Sequence, residues 1–219
     1  YDLHDPNKFI KDIKKILHPD GIFILEHADL TLILKKNLFD TICHEHLEYY
    51  STSNIDYILN NNGLEIANHE FNSINGGSSQ YLIVHKGSKY KVNHNKIKKL
   101  KLEEIKYGIN KKSTYVNFFK KINRIKFNLL RLLKKIKDKK RIIHGYGAST
   151  KGNVLLQFFG ISKNSIDCIA DRNPAKNNFY TPGTKIKIVT EKISRKIKPD
   201  YYLVLPWHFK EEILIREKN

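Results

Sequence analysis

The chain has 219 residues, 40% of them hydrophobic, and its 40 Lys and Arg outnumber 22 Asp and Glu to give a formal charge of +18. That apolar content excludes a disordered chain, and the length accommodates one large domain or two small ones, each with a usable core. The charge points towards polyanions, yet Lys, Asn and Ile recur everywhere, ordinary solvated helix faces included; the expected partner is a phosphate-bearing small molecule, with no nucleic acid and no membrane.

Asp5 and Pro6 introduce a helix over 7–17, where Phe9, Ile13, Ile16 and Leu17 fall at helical spacing. The turn Pro19-Asp20-Gly21 then leads into a short apolar strand at 22–25. Next comes the densest run of reactive side chains, FDTICHEHLEYYS at 39–51. As a strand, this run would put His44 and His46 on one face and Cys43 and Glu45 on the other; as irregular loop, all four could converge on one cleft. Imidazole titrates near ~6.5, so either arrangement supplies a general base at neutral pH, with a neighbouring carboxylate to orient it.

Thr52 or Ser53 is expected to cap a helix carrying Ile55, Ile58 and Leu59, ended by Asn62-Gly63. Strands at 64–69 and 80–85 flank Gly76-Gly77-Ser78, which reads as a tight turn or as a point of close ligand approach. From residue 92 to about 140 the chain is lysine-rich helix. Phe118, Ile122, Ile125, Leu129, Leu132, Leu133 and Ile136 form one apolar stripe there, which marks a packed connector.

A second unit opens with a strand at 142–143, a glycine loop at 144–153 and an apolar helix at 154–159 ended by Gly160. Strand, glycine loop, helix is the order that cradles phosphate on backbone amides. The loop is not a P-loop, since Lys151 is followed by Gly152, which also breaks the GxGxxG spacing. Asp171 closes a strand at 166–170, where a dinucleotide fold would place an acidic residue against a ribose hydroxyl; capping of the turn through Asn173-Pro174 is the alternative. A strand at 201–205, then Pro206-Trp207-His208-Phe209 and a helix with Glu211 and Glu212, completes another strand-loop-helix step; Trp207 and Phe209 are expected in the core. The expected fold is α/β: two Rossmann-like parallel-sheet units joined by a basic helical connector, the first unit incomplete.

Cys43 and Cys168 form neither a disulfide framework nor a CxxC pair, so a reducing, cytoplasmic compartment is expected. No run is long enough to span a membrane, no secretory leader opens the chain, and a start at Tyr1 without any methionine suggests a fragment beginning within a fold. His44 and His46 also form an HxH pair, but Glu45 would point away and no third ligand is evident, so no metal ligand is assigned.

The ordered series FDTICHEHLEYYS, Gly76-Gly77-Ser78, GYGASTKGN at 145–153, ADRNPAKNNFYTPGT at 170–184 and LPWHF at 205–209 resembles the sugar C-methyltransferases. These S-adenosylmethionine-dependent enzymes methylate a carbon of a nucleotide-linked keto-deoxysugar. The resemblance implies three parts: a small zinc-binding region, a middle methyltransferase domain holding the donor, and a Rossmann-like C-terminal domain anchoring the nucleotide sugar. This chain would supply the second half of the middle domain at 1–94, a helical connector at 95–140 and a truncated C-terminal domain at 141–219. The main donor loop and the zinc ligands would lie outside it. Cys43 stands where the family often has Tyr in a Tyr-His-Glu-His run, and His208 where Asn is common.

On that resemblance His46 is the base that removes a proton beside the ketone, Glu45 orients it or binds the sugar, and His4, His44, Tyr49 or Tyr50 stabilises the enolate oxygen. Gly76, Gly77 and Ser78 join Tyr49 on the sugar. Gly145, Gly147, Ala148, Lys151, Gly152 and Asn153 meet the diphosphate, and Asp171 a ribose or base edge. Two rivals remain. One is an NAD(P)-dependent sugar-nucleotide oxidoreductase or epimerase, resting on the glycine loop and Asp171. The other is a non-catalytic binding fragment whose basic helix contacts nucleic acid.

Overall fold

In the computed structural model, which describes residues 2–218, Asp5 opens the first helix by accepting the Lys8 N–H at 2.9 Å, with Pro6 at the first helical position. The described chain packs as two compact units, residues 2–38 with 44–119 and residues 39–43 with 120–218.

The first unit contains α1 (Pro6–Ile16), β1 (Phe23–Ala28), α2 (Leu30–Lys36), α3 (Thr52–Asn61), β2 (Leu64–Asn72), β3 (Ser78–His85) and α4 (His94–Tyr107). Its three-stranded sheet has the order β1-β3-β2, and β3 runs antiparallel to both neighbours. The expected parallel sheet is therefore corrected for this unit. The link from β2 to β3 is a 3-10 turn, Ile74–Gly76, with Asn75 and Gly76 at φ +55 and +93. So short a link reverses the strand and cannot cross back over the sheet. Ile10, Ile55, Leu59, Leu64, Ile66, Tyr81, Ile83 and Ile97 form the core. Ile10 takes the buried place on α1 while Ile16 is 80% exposed, so the apolar stripe is rotated from the expected one.

Ser51 caps α3, one residue before the expected Thr52 or Ser53. Those two instead present their amides to Glu104 of α4, at 2.7 and 3.0 Å. A buried carboxylate thus satisfies the open N–H groups and the positive end of a helix. The lysine-rich segment is two helices: α4 ends at Gly108, φ +87, and α5 (Lys112–Asp138) follows. Only Ile122 and Leu133 are buried on α5.

The second unit contains β4 (Ile143–Tyr146), α6 (Thr150–Phe159), β5 (Cys168–Asp171), β6 (Ile188–Thr190), α7 (Glu191–Ile197), β7 (Tyr201–Val204) and α8 (Lys210–Glu217). Its four-stranded sheet has the order β6-β5-β4-β7, with every pairing parallel. The chain steps outward from β4 to β5 to β6 and then jumps to the other side of β4, so the order reverses between β4 and β7. In open α/β sheets the crevice beyond the strand ends at such a reversal is the ligand position.

Candidate active site

Beyond β4 the loop is only Gly147–Ser149. Gly145 lies in the strand, and Lys151, Gly152 and Asn153 lie in the first turn of α6, because Ser149 caps that helix by accepting the Gly152 N–H on Oγ at 3.0 Å. The glycines have packing reasons. A Cβ on Gly147, at φ +83, would sit 2.7 Å from the Pro206 ring, and one on Gly152 would sit 2.9 Å from Leu205 Cβ. Both let the start of α6 lie against the end of β7. On Gly145 a Cβ would meet Ile169 at 2.8 Å.

Several loop amides are already engaged. Gly147 N–H donates to the Ala170 carbonyl at 2.7 Å, Ala148 N–H to Asp171 Oδ2 at 2.7 Å, and Asn153 N–H to the Ser149 carbonyl at 3.0 Å. Asp171 also accepts the Asn173 N–H at 2.8 Å and pairs with Lys176 at 3.3 Å. Its carboxylate thus staples the loop and caps the following turn, the alternative role anticipated for it.

The side chains at the start of α6 look different. The Oδ1 of Asn153 is buried with no hydrogen-bond partner among the described residues. Burial pushes the half-buried Lys151 amine below its usual range, while Asp40 and Cys43 pull it back up. Asp40, itself buried, accepts the Trp207 indole N–H at 2.9 Å. His208 stands nearby with its titration lowered by burial and by Lys151. Trp207 and Phe209, expected in the core, are 39% and 47% exposed. The 3-10 turn Phe39–Thr41 and the following residues to Cys43 therefore bring a carboxylate and a thiol to the start of α6, and Phe39 stacks on Phe159 with ring centroids 5.0 Å apart.

From His44 the same motif belongs to the first unit. It is irregular, with a turn at His44-Glu45, so the strand alternation does not apply. His44 and Glu45 are exposed and His46 is half-buried, its ring edge-on to Tyr49 at 6.3 Å. Tyr50 donates its hydroxyl to Glu48, and its carbonyl accepts the Leu30 N–H at 2.9 Å, tying the segment to α2. His4 is exposed, ahead of α1. The Gly76-Gly77-Ser78 turn is held by Lys36 Nζ on the Gly76 carbonyl at 3.1 Å and by Ser78 Oγ on the Ile74 carbonyl at 3.1 Å. Ser78 pairs with Ala28 at the end of β1.

A buried polar chain in this unit escaped the sequence reading. Asp29 caps α2 and accepts Ser79 Oγ–H at 3.0 Å. Ser79 has one proton, so its oxygen in turn accepts from His69 Nε2 at 3.0 Å. Burial raises the Asp29 titration and lowers that of His69 to about 4, with Lys96 adding to the second effect. His27 stacks on Tyr81, centroids 5.5 Å apart. The visible signal was Asp29 ahead of an apolar run, an N-cap pattern; the histidines gave none. Among the described residues no group of three or more His, Cys, Asp or Glu is placed to hold a metal ion, and no helix is long and apolar enough to cross a membrane.

Residues 73–219 match the family model for the C-methyltransferase C-terminal domain. The chain belongs to this family. It is also 29% identical over 215 residues to C-methyltransferase NovU of Streptomyces niveus, an alignment covering 98% of this chain and 51% of the relative. The chain spans about half the length of that curated relative. The family match takes in Gly76-Gly77-Ser78, the Gly147–Ser149 loop, Lys151, Asn153 and Trp207, and the alignment with the relative extends over nearly the whole chain.

Proposed function

We propose that the protein to which this chain belongs methylates a carbon next to the ketone of a nucleotide-diphosphate-linked deoxysugar. S-adenosylmethionine would supply the methyl group as an electrophile. The C–H bond beside a ketone is acidified by the carbonyl, so His46 takes the proton and the electron pair passes into an enolate, whose carbon would attack the methyl as the S–CH3 bond breaks and S-adenosylhomocysteine leaves with that bond's electrons. Glu45 orients His46 or binds the sugar. His4, His44 or Tyr49 donates to the enolate oxygen, where negative charge develops, whereas Tyr50 spends its one proton on Glu48.

The observation that carries this reading is the cluster at the start of α6. A half-buried lysine, a buried unpartnered amide oxygen on Asn153 and the indole of Trp207 stand at the end of β4, where the strand order reverses. Lys151 and the first turn of α6 suit a diphosphate, and Asn153 Oδ1 suits a hydroxyl or an N–H of the nucleoside. Asp171 is engaged with the loop, so its part is to shape the anchor. An oxidoreductase would need that carboxylate on a ribose, and it leaves the histidine run without a task.

The test is methyl transfer by the full-length protein from S-adenosylmethionine to a thymidine-diphospho-4-keto-6-deoxysugar. His46→Ala should lower turnover by roughly 10²–10⁴-fold, the usual contribution of a general base. Unchanged turnover removes His46 from the role. Hydrogen exchange at 145–153 should slow with the nucleotide sugar and not with NAD; the reverse pattern would favour the oxidoreductase.

A further inference from the structure

His27 occupies the penultimate position of β1 and is 5% exposed. Its Nδ1 lies 2.9 Å from the Ala28 carbonyl oxygen. A carbonyl only accepts, so Nδ1 carries the proton. Burial lowers the titration of the ring, which keeps it neutral at pH 7. The other nitrogen, Nε2, is then a bare acceptor; it is buried and has no hydrogen-bond partner among the described residues. An unpaired buried acceptor costs about 1–3 kcal/mol, and a core position would ordinarily be filled by leucine or valine at no such cost.

The ring lines a cavity of about 60 Å³ whose other walls include Phe9, Leu25, Tyr50 and Ile55. The walls are apolar apart from His27 and the tyrosine. Tyr50 meets the His27 ring edge-on at 6.1 Å, and its hydroxyl is already committed to Glu48. Tyr49, its neighbour in the chain, carries the edge contact with His46. The cavity is open to solvent on one side and has room for a fragment of a few heavy atoms.

We propose that His27 is a specificity-determining residue: Nε2 accepts a hydrogen bond from one hydroxyl of the sugar, while Phe9, Leu25 and Ile55 receive the deoxygenated or methyl-bearing carbon beside it. The inference rests on the nucleotide-sugar reading above and adds the part of the sugar that is recognised. A hydroxyl next to an apolar carbon matches one bare acceptor among apolar walls. A site built to pair a hydroxyl rejects an analogue lacking it, because the acceptor is then left stranded.

The test uses the full-length protein, with thymidine-diphospho-4-keto-6-deoxyglucose as the sugar probe and thymidine diphosphate as the anchor-only probe. In ¹⁵N-histidine spectra of the wild type, the His27 Nε2 resonance should move upfield, as accepting nitrogens do, with the nucleotide sugar and stay in place with thymidine diphosphate. His27→Leu should weaken nucleotide-sugar binding roughly tenfold, the equivalent of about 1.4 kcal/mol, leave thymidine diphosphate binding unchanged, and keep or raise the melting temperature, since leucine leaves no stranded acceptor. A purely structural histidine would show the opposite, a lower melting temperature with unaltered sugar affinity. Equal sugar affinity in the leucine variant, or an Nε2 resonance that responds to neither probe or to both alike, overturns the proposal and leaves the diphosphate anchor standing. Failure of the wild type to bind either probe overturns the nucleotide-sugar reading and this inference with it. If the leucine variant does not fold, the wild-type spectra decide alone.

Discussion

The indole of Trp207 donates to the carboxylate of Asp40 at 2.9 Å across 167 residues of chain. That bond fixes the segment preceding His44 within the second unit, and the same carboxylate helps to keep Lys151 charged against the pull of burial. Asp40→Asn keeps an acceptor for the indole and removes the charge. The Lys151 amine should then titrate at a still lower pH, because Asp40 is a group that raises it, as read from its ¹³Cε shift. Asp40→Ala also strands the indole and should cost about 1–3 kcal/mol. Trp207 is the only tryptophan, so its emission reports this unfolding directly.

His69 makes the stability of the first unit depend on pH. Its folded value of about 4 lies below the ordinary imidazole value of 6.5, so the unfolded chain binds the proton more tightly between the two. The stabilisation from keeping the ring neutral is complete above about pH 6.5 and is lost as pH falls towards 4, a change of about 3 kcal/mol in all. Asp29, linked to His69 through Ser79, has a raised value and shifts stability in the opposite sense. Urea unfolding of the wild type and of His69→Gln by circular dichroism from pH 7 to pH 4 therefore isolates the histidine. Parallel curves for the two proteins would show that His69 carries none of the dependence.

Local signals made much of this legible in the sequence. Asp5-Pro6 marked α1, Gly160 ended α6, and apolar runs located β1, β4, β5 and β7. α2 was missed because Leu30–Lys36 is seven residues, too few to show a helical period, and the Asp29 cap was the one local sign of it. β6, at three residues, is too short to stand out. The antiparallel first sheet depends on how short the β2–β3 link is, and repeated strand-helix order says nothing about that. At the site, the motifs located the glycine loop and the histidine run. The pairings found beside them, Asp40 with Trp207 across 167 residues and Ser79 with His69 across the β2–β3 hairpin, are set by tertiary packing and strand register and leave no local signal.

The glycines at the start and end of the α6 step should differ in their tolerance of a side chain. Gly147→Ala combines a left-handed φ of +83 with a Cβ 2.7 Å from Pro206, and should cost about 2–4 kcal/mol. Gly160→Ala has a similar φ of +71 but open space around it, so only the backbone penalty of about 1–2 kcal/mol applies. Urea midpoints followed on Trp207 should rank Gly147→Ala well below Gly160→Ala. Equal midpoints would mean that the approach of Pro206 imposes no constraint.

Tyr146 ties α8 to the second sheet. Its buried hydroxyl accepts from Arg216 at 2.9 Å and lies 2.8 and 2.6 Å from carboxylate oxygens of Glu191 and Glu217, which Arg195 also holds. With one proton it donates to one carboxylate at a time. Arg195 first, then the Tyr146 hydroxyl, keep the Glu217 carboxyl below its ordinary range. A depressed carboxylate stabilises the fold above its unfolded value of about 4.5 and loses that contribution as pH falls through its folded one. Tyr146→Phe should therefore cost about 1–3 kcal/mol at pH 7 and progressively less below pH 4.5. A loss that stays constant down to pH 3 would assign the cost to packing around the ring and not to its hydroxyl.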